Sequence, residues 1–419
     1  MTFNVDRVRS HFPALSSDAV YFDNPGGTQI TEQALERIQQ YLLETNANHG
    51  GAFPTSRASD ATVDRARSAV ADFLVADRPE EIVFGANMTS LTLALSRSLA
   101  EELSPGDEIV VTRLDHDGNI SPWLQAARAS GAEVRWVDFD VEDCTLDMRS
   151  FEAALTENTR LVAVGAASNA VGTINPVADI AAAAHDVGAL CFVDAVQYAP
   201  HRPIDVQSWD CDFLAISAYK FFGPHVGILY GRYELLERLK SYKVRPAPDD
   251  PPGKWETGTP NFEGIAGVLG SLEYMAELGQ HEGGPFVDEL SDNYQGLQLD
   301  LKLGMTAIEA YERKLTHSLQ DVLRSIPEVD LYGLSEESLL DRRVPTFGFR
   351  VADLPPRRIA EILGDLGIYV WDGNFYAQAV TERLGLEEQG GLVRVGLVHY
   401  NKIEEIKQLE NGLRAALAG

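Results

Sequence analysis

Short apolar runs alternate with helical stretches over residues 81–231, and this alternation restricts the fold more than any other feature of the sequence. The run EIVFG is followed by TSLTLALSRSLAEEL, by EIVVTRL, by a helix near Pro122 and by AEVRWVDF. The same order continues through RLVAVGAAS, VADIAAAAHDVG, ALCFVDAV, DFLAISA and GILYG. Such alternation is typical of βαβ units. Because the later runs are apolar at nearly every position, we predict a mostly parallel sheet covered on both faces.

The rest of the chain predicts a second, smaller unit of mixed α+β structure. The passage RPAPDDPPGKWETG is too rich in proline for regular structure and is interpreted as a surface loop. Helical patterning follows over 265–325, and then FGFRV, GIYVW and GLVRVGLV alternate with helices near 357–366 and 402–417. We therefore predict a segment 1–20 that packs on the small domain, a large domain 21–285 and a small domain 286–419.

Charge and composition exclude several classes of partner. The chain has 35 Lys and Arg against 63 Asp and Glu, a formal net charge of -28. This charge opposes binding to a nucleic-acid backbone. Charged and polar residues interrupt every long apolar stretch, residues 1–14 included, so neither a membrane span nor a signal peptide is predicted. We expect a cytoplasmic protein with no nucleic-acid or membrane partner.

The cysteines point to structural roles. Cys144, Cys191 and Cys211 are widely spaced and form no CxxC pair. Such spacing is typical neither of a disulfide framework nor of a zinc site. They are therefore interpreted as small buried side chains, and no metal is expected.

Polar side chains follow two of the predicted strands where those strands end. Asp194 ends ALCFVD with Gln197 three residues on, and DFLAIS ends at Ser217, just before Tyr219 and Lys220. Ligands of open α/β sheets bind at the carboxyl ends of strands. A desolvated lysine has a lowered pKa and a nucleophilic amine suited to a Schiff base. An aspartate nearby keeps a pyridine nitrogen protonated, so the pair predicts a site for pyridoxal 5'-phosphate (PLP).

The phosphate group of the cofactor needs a binding site of its own, and the segment 87–90 is the candidate for it. These residues, Asn-Met-Thr-Ser, lie where EIVFG gives way to a helix, and a helix N-terminus binds phosphate. Taken singly, each residue also has an ordinary structural interpretation. Asp194 could cap a helix, Lys220 could extend to solvent at a sheet edge, and His116 could be a hydrogen-bonded loop residue. Their order along the chain is nevertheless the one that a doubly wound sheet brings to a single cleft.

At this point the chain resembles the class V aminotransferase family of fold-type I PLP enzymes, in particular its cysteine desulfurase branch. The matching segments cover nearly the whole chain and are YFDNPGG, NAN at 46–48, DHDGNISPW, SNAVGTINPV, VDAVQ, SAYKFFGP, ETGTPN and RVGLVHYN. The resemblance implies an α/β fold of fold-type I, with a large domain on a mostly parallel sheet and a smaller C-terminal α+β domain. It also implies a homodimer that acts on a small-molecule amino acid.

The resemblance also implies roles around the cofactor ring. Lys220 would form the Schiff base and move protons, and His116 would stack on the pyridine ring. Asp194 would pair with the ring nitrogen, and Gln197 would contact the phenolic oxygen. Lys220 and His116 are thus the implied catalytic residues.

Further residues are implied at the phosphate and at the substrate. The phosphate would be surrounded by Met88, Thr89, Ser217 and Tyr219, with Thr259 reaching it from the partner subunit. Asn169, which would also contact the cofactor, would face the substrate together with Tyr376 and Arg394. A guanidinium such as that of Arg394 binds a carboxylate bidentately, although an arginine on a strand is more often simply salt-bridged.

The sequence departs from the desulfurases in one loop of the small domain. The family places a nucleophilic cysteine there after arginine, threonine, glycine and two variable residues, whereas residues 371–376 read WDGNFY. Tyr376 occupies the cysteine position, and a phenol of pKa ~10 neither resembles a thiolate nor accepts sulfur. Trp371 occupies the position of the loop arginine. Tyr219, directly before Lys220, occupies a position where desulfurases usually carry histidine.

The departure favours chemistry that needs no sulfur acceptor. Relatives of this branch without the cysteine cleave C–S bonds by elimination, so the resemblance implies a C–S lyase that releases a leaving group from the β-carbon. A cysteine desulfurase, an aminotransferase and an epimerase of the same family are the alternatives. A catalytically inert PLP-fold scaffold is a further one, against which the presence of both Lys220 and Asp194 argues.

Motifs of other enzyme classes are incomplete or absent. Residues 217–220 spell SxxK and residues 291–293 spell SDN, as in penicillin-recognising proteins, but KTG does not occur. Ser217 also ends an apolar strand rather than opening a helix, so the match is interpreted as a coincidence. Neither GxGxxG nor GxxxxGK followed by Ser or Thr is present, which removes the main support for a nicotinamide enzyme or an NTPase.

Overall fold

The predicted alternation is present in the computed structural model, which describes residues 3–418. The strands are β1 (Val20–Tyr21), β2 (Ile82–Gly85), β3 (Glu108–Thr112), β4 (Glu133–Val137), β5 (Thr159–Gly165), β6 (Leu190–Asp194), β7 (Phe213–Ser217), β8 (Gly227–Gly231), β9 (Val329–Tyr332), β10 (Thr346–Val351), β11 (Ile368–Tyr369), β12 (Trp371–Gly373) and β13 (Leu392–Gly396). The helices are α1 (Val5–Ser10), α2 (Glu32–Gln40), α3 (Pro54–Leu74), α4 (Met88–Ala100), α5 (Ser121–Ser130), α6 (Met148–Ala154), α7 (Val177–Asp186), α8 (Val206–Trp209), α9 (Tyr233–Arg238), α10 (Phe262–Glu282), α11 (Val287–Leu290), α12 (Gly296–Arg324), α13 (Pro356–Asp365), α14 (Gln378–Arg383) and α15 (Ile403–Ala418).

Seven of the strands form one sheet in the order β2-β8-β7-β6-β5-β3-β4. The pairs β3–β4, β3–β5, β5–β6 and β6–β7 are parallel. Strand β8 runs antiparallel to both of its neighbours, β2 and β7. The prediction of a mostly parallel sheet is therefore confirmed, with β8 as the exception.

Both faces of this sheet are buried, as the continuous apolar runs predicted. Val162, Val164 and Val193 point to a core shared with helices α3, α7 and α10. Their chain neighbours Ala163 and Phe192 point to the opposite core, under α4 and α5. Side chains alternate between the faces of a strand, so only a run apolar at every position satisfies both cores.

A second sheet, four-stranded and antiparallel, has the order β12-β13-β10-β9. Its apolar face packs on α12 and α15 in a separate core. The predicted run GIYVW is split, since β11 ends before Val370 and β12 begins after it, in different sheets. The proline-rich passage forms turns and irregular backbone, as predicted.

The N-terminal residues lie against elements from the far end of the chain. Strand β1 pairs in parallel with β11. The Asn24 amide donates to the carbonyl of Gly396 (2.7 Å), and Arg9 forms an ion pair with Glu405 (2.8 Å). The domain limits at residues 20 and 285 stay a prediction. Within residues 3–418, no helix has both the length and the apolar character needed to cross a bilayer.

Helices α10 and α12 pack so closely that only glycine fits at their contact. A Cβ at Gly279 would overlap the carbonyl oxygen of Asp300, and a Cβ at Gly304 would overlap that of Met275. Gly279→Ala is therefore expected to lower the free energy of unfolding by about 2 kcal/mol, because overpacking forces the helices apart. Chemical denaturation measures this change.

The matched control is Gly364→Ala in α13, where an added Cβ meets no atom within 4 Å. There the higher helix propensity of alanine is expected to stabilise the protein by roughly 0.5–1 kcal/mol. Equal effects of the two substitutions would contradict the close contact between α10 and α12.

Candidate active site

A cavity of about 570 Å³ opens where the parallel strands of the large sheet end. Loops that follow β3, β5, β6 and β7 form its floor, and β13 and the loop after β12 form the opposite side. Of the predicted site residues, the cavity is lined by Met88, Thr89, His116, Asn169, Asp194, Gln197, Ser217, Tyr219, Lys220, Tyr376 and Arg394. These residues come from both sheets, so the fold brings together positions up to 306 residues apart in the chain, Met88 and Arg394.

Thr259 is the predicted site residue that does not line this cavity. It lies in the irregular segment before α10, and its side chain is exposed. A contribution of Thr259 to a neighbouring subunit stays a prediction.

Lys220 is buried at the end of a short 3₁₀ turn that follows β7. Its ammonium group donates to the carbonyl of Pro25 and lies 4.8 Å from the centre of the Tyr219 ring. Burial, with the positive charge of Arg394, lowers the pKa of Lys220 to about 7. A substantial fraction of the amine is thus neutral and nucleophilic near neutral pH.

Asp194 is a buried carboxyl group that lacks a salt-bridge partner among the described residues. Its Oδ1 accepts a hydrogen bond from the Val196 amide (2.9 Å), and no salt bridge reaches it from the described residues. Burial raises the pKa of Asp194 to about 7. A protonated heterocyclic nitrogen in the cavity would supply the missing charge and favour the carboxylate form.

His116 presents a neutral imidazole ring to the cavity. Its Nδ1 accepts a hydrogen bond from the Gly118 amide (2.9 Å). Burial, with the charges of Lys220 and Arg394, lowers the pKa of His116 to about 4. Its ring lies 5.7 Å from that of Tyr376, with 22° between the planes. An uncharged flat ring of this kind suits stacking on an aromatic ligand.

The N-terminus of α4 opens into the same cavity. Asn87 caps the helix, with its Oδ1 accepting from the Ser90 amide (2.9 Å). The Met88 amide donates to Ser217 Oγ (3.0 Å), which ties the helix start to the end of β7. Thr89 follows in the first turn and lines the cavity. Such a helix end, with hydroxyl groups beside it, favours an anion.

Arg394 on β13 is buried and already engaged by the protein. Its guanidinium forms an ion pair with Asp23 (3.1 Å) and donates to the carbonyl of Asn169 (3.1 Å). The ring of Phe375 covers it, with 4.4 Å from the guanidinium carbon to the ring centre. Its Nε has no partner among the described residues, and neither has Asn169 Oδ1. Both atoms are thus buried without a hydrogen-bond partner from the described part of the chain, which is uncommon for polar atoms in a protein interior.

Gln197 and Asn169 link the floor of the cavity to the small sheet. The Gln197 amide donates to Thr346 Oγ1 of β10 (2.9 Å), and the Asn169 amide donates to the carbonyl of Phe375 (2.8 Å). Both side chains are thus held in place by residues far along the chain. Their remaining polar atoms supply the cavity with hydrogen-bonding groups.

Sequence reasoning did not select three residues that shape the cavity. Asp23 pairs with Arg394, Phe375 covers it, and Asp115 is a fully buried carboxyl group beside Asp194. Asp115 accepts from the Gly165 amide (2.8 Å), and burial raises its pKa to about 7. Asp115 comes shortly after β3, so the rule that ligand sites follow strand ends was a signal for it.

The chemical properties of these side chains suit the binding of PLP. The floor of the cavity combines an amine of lowered pKa, a carboxyl group without a cation and a neutral ring. The helix end at Asn87 favours the phosphate, and Asp194 favours a protonated pyridine nitrogen. Within residues 3–418, no group of three or more His, Cys, Asp or Glu side chains is placed to hold a metal ion.

Comparison with known proteins agrees with this chemistry. The family model "Aminotransferase class-V" matches residues 20–284 and 294–409. An aminotransferase-like protein of Gibberella zeae is 35% identical over 428 residues, which cover 99% of this chain and 99% of that protein. A cysteine desulfurase of Pectobacterium carotovorum is 31% identical over 99% of this chain and 98% of its own length.

A solved structure gives the same result for the fold. The apo cysteine desulfurase of Thermococcus onnurineus superposes with a TM-score of 0.85 at 28% identity, over 98% of this chain and 97% of that one. The prediction of a fold-type I α/β architecture is thereby confirmed. The chain belongs to the class V aminotransferase family and is a PLP-dependent enzyme.

Proposed function

We propose that this protein is a C–S lyase that acts on a cysteine thioether by β-elimination. The products would be a thiol, pyruvate and ammonia. The observation that carries the proposal is the lack of a sulfur acceptor in the cavity. Of the described residues that line it, none is a cysteine. The resemblance to the desulfurases places Tyr376 at the loop position of their cysteine.

The three cysteines of the chain are poor substitutes for a catalytic thiolate. All are buried, outside the residues that line the cavity. Burial raises the pKa of Cys144 to about 12 and raises the pKa values of Cys191 and Cys211 well above the ordinary range. A protonated thiol is not a nucleophile. This supports elimination over transfer of sulfur to the protein.

Lys220 is the group that moves protons in this proposal. When bound, PLP would supply an electron sink for the pair of electrons left at the substrate Cα. The Lys220 Nζ, with its lowered pKa, takes the proton from Cα. The electron pair forms the Cα–Cβ double bond as the Cβ–S bond breaks, and the sulfur leaves as a thiolate that is then protonated. Hydrolysis of the enamine product by water gives pyruvate and ammonia.

Binding and orientation come from the opposite side of the cavity. Arg394 lines the cavity and binds the substrate carboxylate through its guanidinium, with Asn169 beside it in the lining. Asp23 keeps the guanidinium in place before the substrate arrives. His116 and Asp194 hold the cofactor ring by stacking and by charge, and the start of α4 binds the phosphate.

The proposal includes a cytoplasmic homodimer with an amino acid as its substrate. Thr259 would reach the phosphate group in the neighbouring subunit, since its exposed side chain lies outside the cavity of its own chain. Nucleic acid is not among the proposed partners, because a net charge of -28 opposes binding to a phosphate backbone.

Product analysis of the PLP-loaded protein tests the reaction type. Incubation with S-substituted cysteines is expected to give pyruvate, ammonia and free thiol in equal amounts, because each elimination releases one of each. The assay is repeated with cysteine, cystine, alanine and aspartate, and the Lys220→Ala variant is the control for catalysis by free PLP.

Other product patterns identify the alternatives and would refute elimination. Alanine with sulfide under reductant indicates a desulfurase that works without the loop cysteine. Loss of the amino group to the cofactor without release of ammonia indicates an aminotransferase, and appearance of the D-amino acid indicates an epimerase. No turnover of any of these substrates favours the inert scaffold.

A further inference from the structure

Three aromatic residues stand at the mouth of the cavity: Trp371, Phe375 and Tyr376, here called the aromatic rim. All three line the cavity that contains Lys220. Trp371 is 55% exposed and Tyr376 is 74% exposed, whereas Phe375 is buried behind them. Exposed aromatic rings that border a ligand site mark a surface for an apolar group. The rim is continuous with the candidate site, so the group that it meets belongs to the substrate.

The rim is held in a backbone conformation that large residues rarely adopt. Phe375 and Tyr376 have φ of 58° and 59°, in the left-handed region. Two hydrogen bonds, one of them from a distant part of the chain, fix this conformation. The Asp117 amide donates to the Tyr376 carbonyl (2.6 Å), and the Asn374 side chain accepts from the Tyr376 amide (3.1 Å). Strain that is retained in this way clusters at functional sites.

The contacts that the rim already makes restrict what it can bind. An aromatic face attracts either another ring or a cation. The face of Phe375 is already occupied by the Arg394 guanidinium, whose carbon lies 4.4 Å from the ring centre. The Tyr376 ring lies nearly parallel to the His116 ring, with 5.7 Å between the ring centres and 22° between the planes. A neutral ring is therefore the ligand that we expect on the rest of the rim.

We propose that the aromatic rim selects amino acids whose side chain carries a neutral aromatic ring, such as aryl thioethers of cysteine. This inference rests on the proposed function and names its substrate class. The substrate carboxylate meets Arg394, the α-carbon lies near Lys220, and the ring of the leaving group stacks on Tyr376 and Trp371.

The test measures binding without requiring elimination. PLP-loaded protein is titrated by calorimetry with L-phenylalanine and L-leucine, which carry no leaving group on the β-carbon. The dissociation constant is expected to be about tenfold lower for phenylalanine, the gain of one good aromatic pair. In the double variant Trp371→Ala, Tyr376→Ala the two constants should become similar, whereas Tyr376→Phe should keep the preference.

Tyr369 provides a matched control, since it is a 44% exposed tyrosine on β11 that does not line the cavity. Tyr369→Ala should leave the preference unchanged. The proposal is overturned if the wild-type protein shows no preference, if neither amino acid binds, or if the double variant keeps the preference. A change of oligomeric state in the double variant would instead make the rim a subunit contact and also overturn it. A clear preference in this titration, together with no pyruvate from S-substituted cysteines in the product assay, would refute only the elimination.

Discussion

Replacement of Lys220 by alanine is expected to remove the visible absorption band of the PLP-loaded protein and to lower turnover by roughly 10⁴-fold or more. The band arises from the Schiff base, which needs the amine. The expected loss of turnover corresponds to the upper end of the rate enhancement that one positioned acid–base group contributes. Absorbance spectra and single-substrate kinetics on purified protein measure both effects. Lys220→Arg, which keeps the charge but forms no Schiff base, should behave in the same way.

A second buried lysine provides a matched control for this experiment. Lys302 on α12 donates to the carbonyls of Phe73 and Ile204, and burial lowers its pKa to about 8. It does not line the cavity. Lys302→Met is expected to reduce stability and leave the absorption band in place. A band that survives in folded Lys220→Ala would show that another amine holds the cofactor.

Asp194→Asn is expected to have opposite effects on the free and the PLP-loaded protein. In the free protein, burial raises the pKa of Asp194 from 3.8 to about 7. The folded state therefore keeps the proton to higher pH than the unfolded chain. Below pH 3.8 the carboxyl group is protonated in both states, and the free energy of unfolding is not reduced. It falls as the pH rises through 7, by up to about 4 kcal/mol, because the ionised carboxylate is then buried in the folded state. Asparagine avoids this cost and keeps the acceptor for the Val196 amide.

The free Asp194→Asn protein should consequently melt at a higher temperature than wild type at pH 8, with little difference at pH 4. The PLP-loaded variant should bind its cofactor roughly 10²-fold more weakly, because the protonated ring nitrogen loses its charge partner. Thermal melts at both pH values and cofactor titrations measure these effects. Asp365→Asn, at an exposed position on α13, is the control. Equal melting temperatures at pH 8 would argue against the burial cost.

The floor of the candidate site was predictable because strand ends converge. Asp194, Ser217 and Lys220 follow apolar runs, and parallel neighbouring strands bring their carboxyl ends to one edge. The same runs do not encode strand direction. The run GILYG reads like its neighbours, yet β8 is antiparallel, since its direction is set by the short connection from β7.

The opposite side of the cavity was less predictable from local patterns. The pair of Asp23 and Arg394 joins residues 371 positions apart, and the contact of Asn169 with the Phe375 carbonyl spans 206 positions. Such contacts depend on how the two sheets meet. The positive φ values of Phe375 and Tyr376 had no local signal either, because glycine and asparagine are the residues that usually indicate that conformation.

The pairing of β1 with β11, and of Asp23 with Arg394, has a consequence for biosynthesis. The ribosome makes the chain from the N-terminus, so residues 20–23 wait for partners that emerge last. The large sheet, with contacts of shorter sequence separation, can fold much earlier. Until the last part of the chain is released, residues 20–23 lack their partners and the side of the cavity that carries Arg394 is not formed. A nascent chain can therefore form the floor of the cavity before the opposite side closes it.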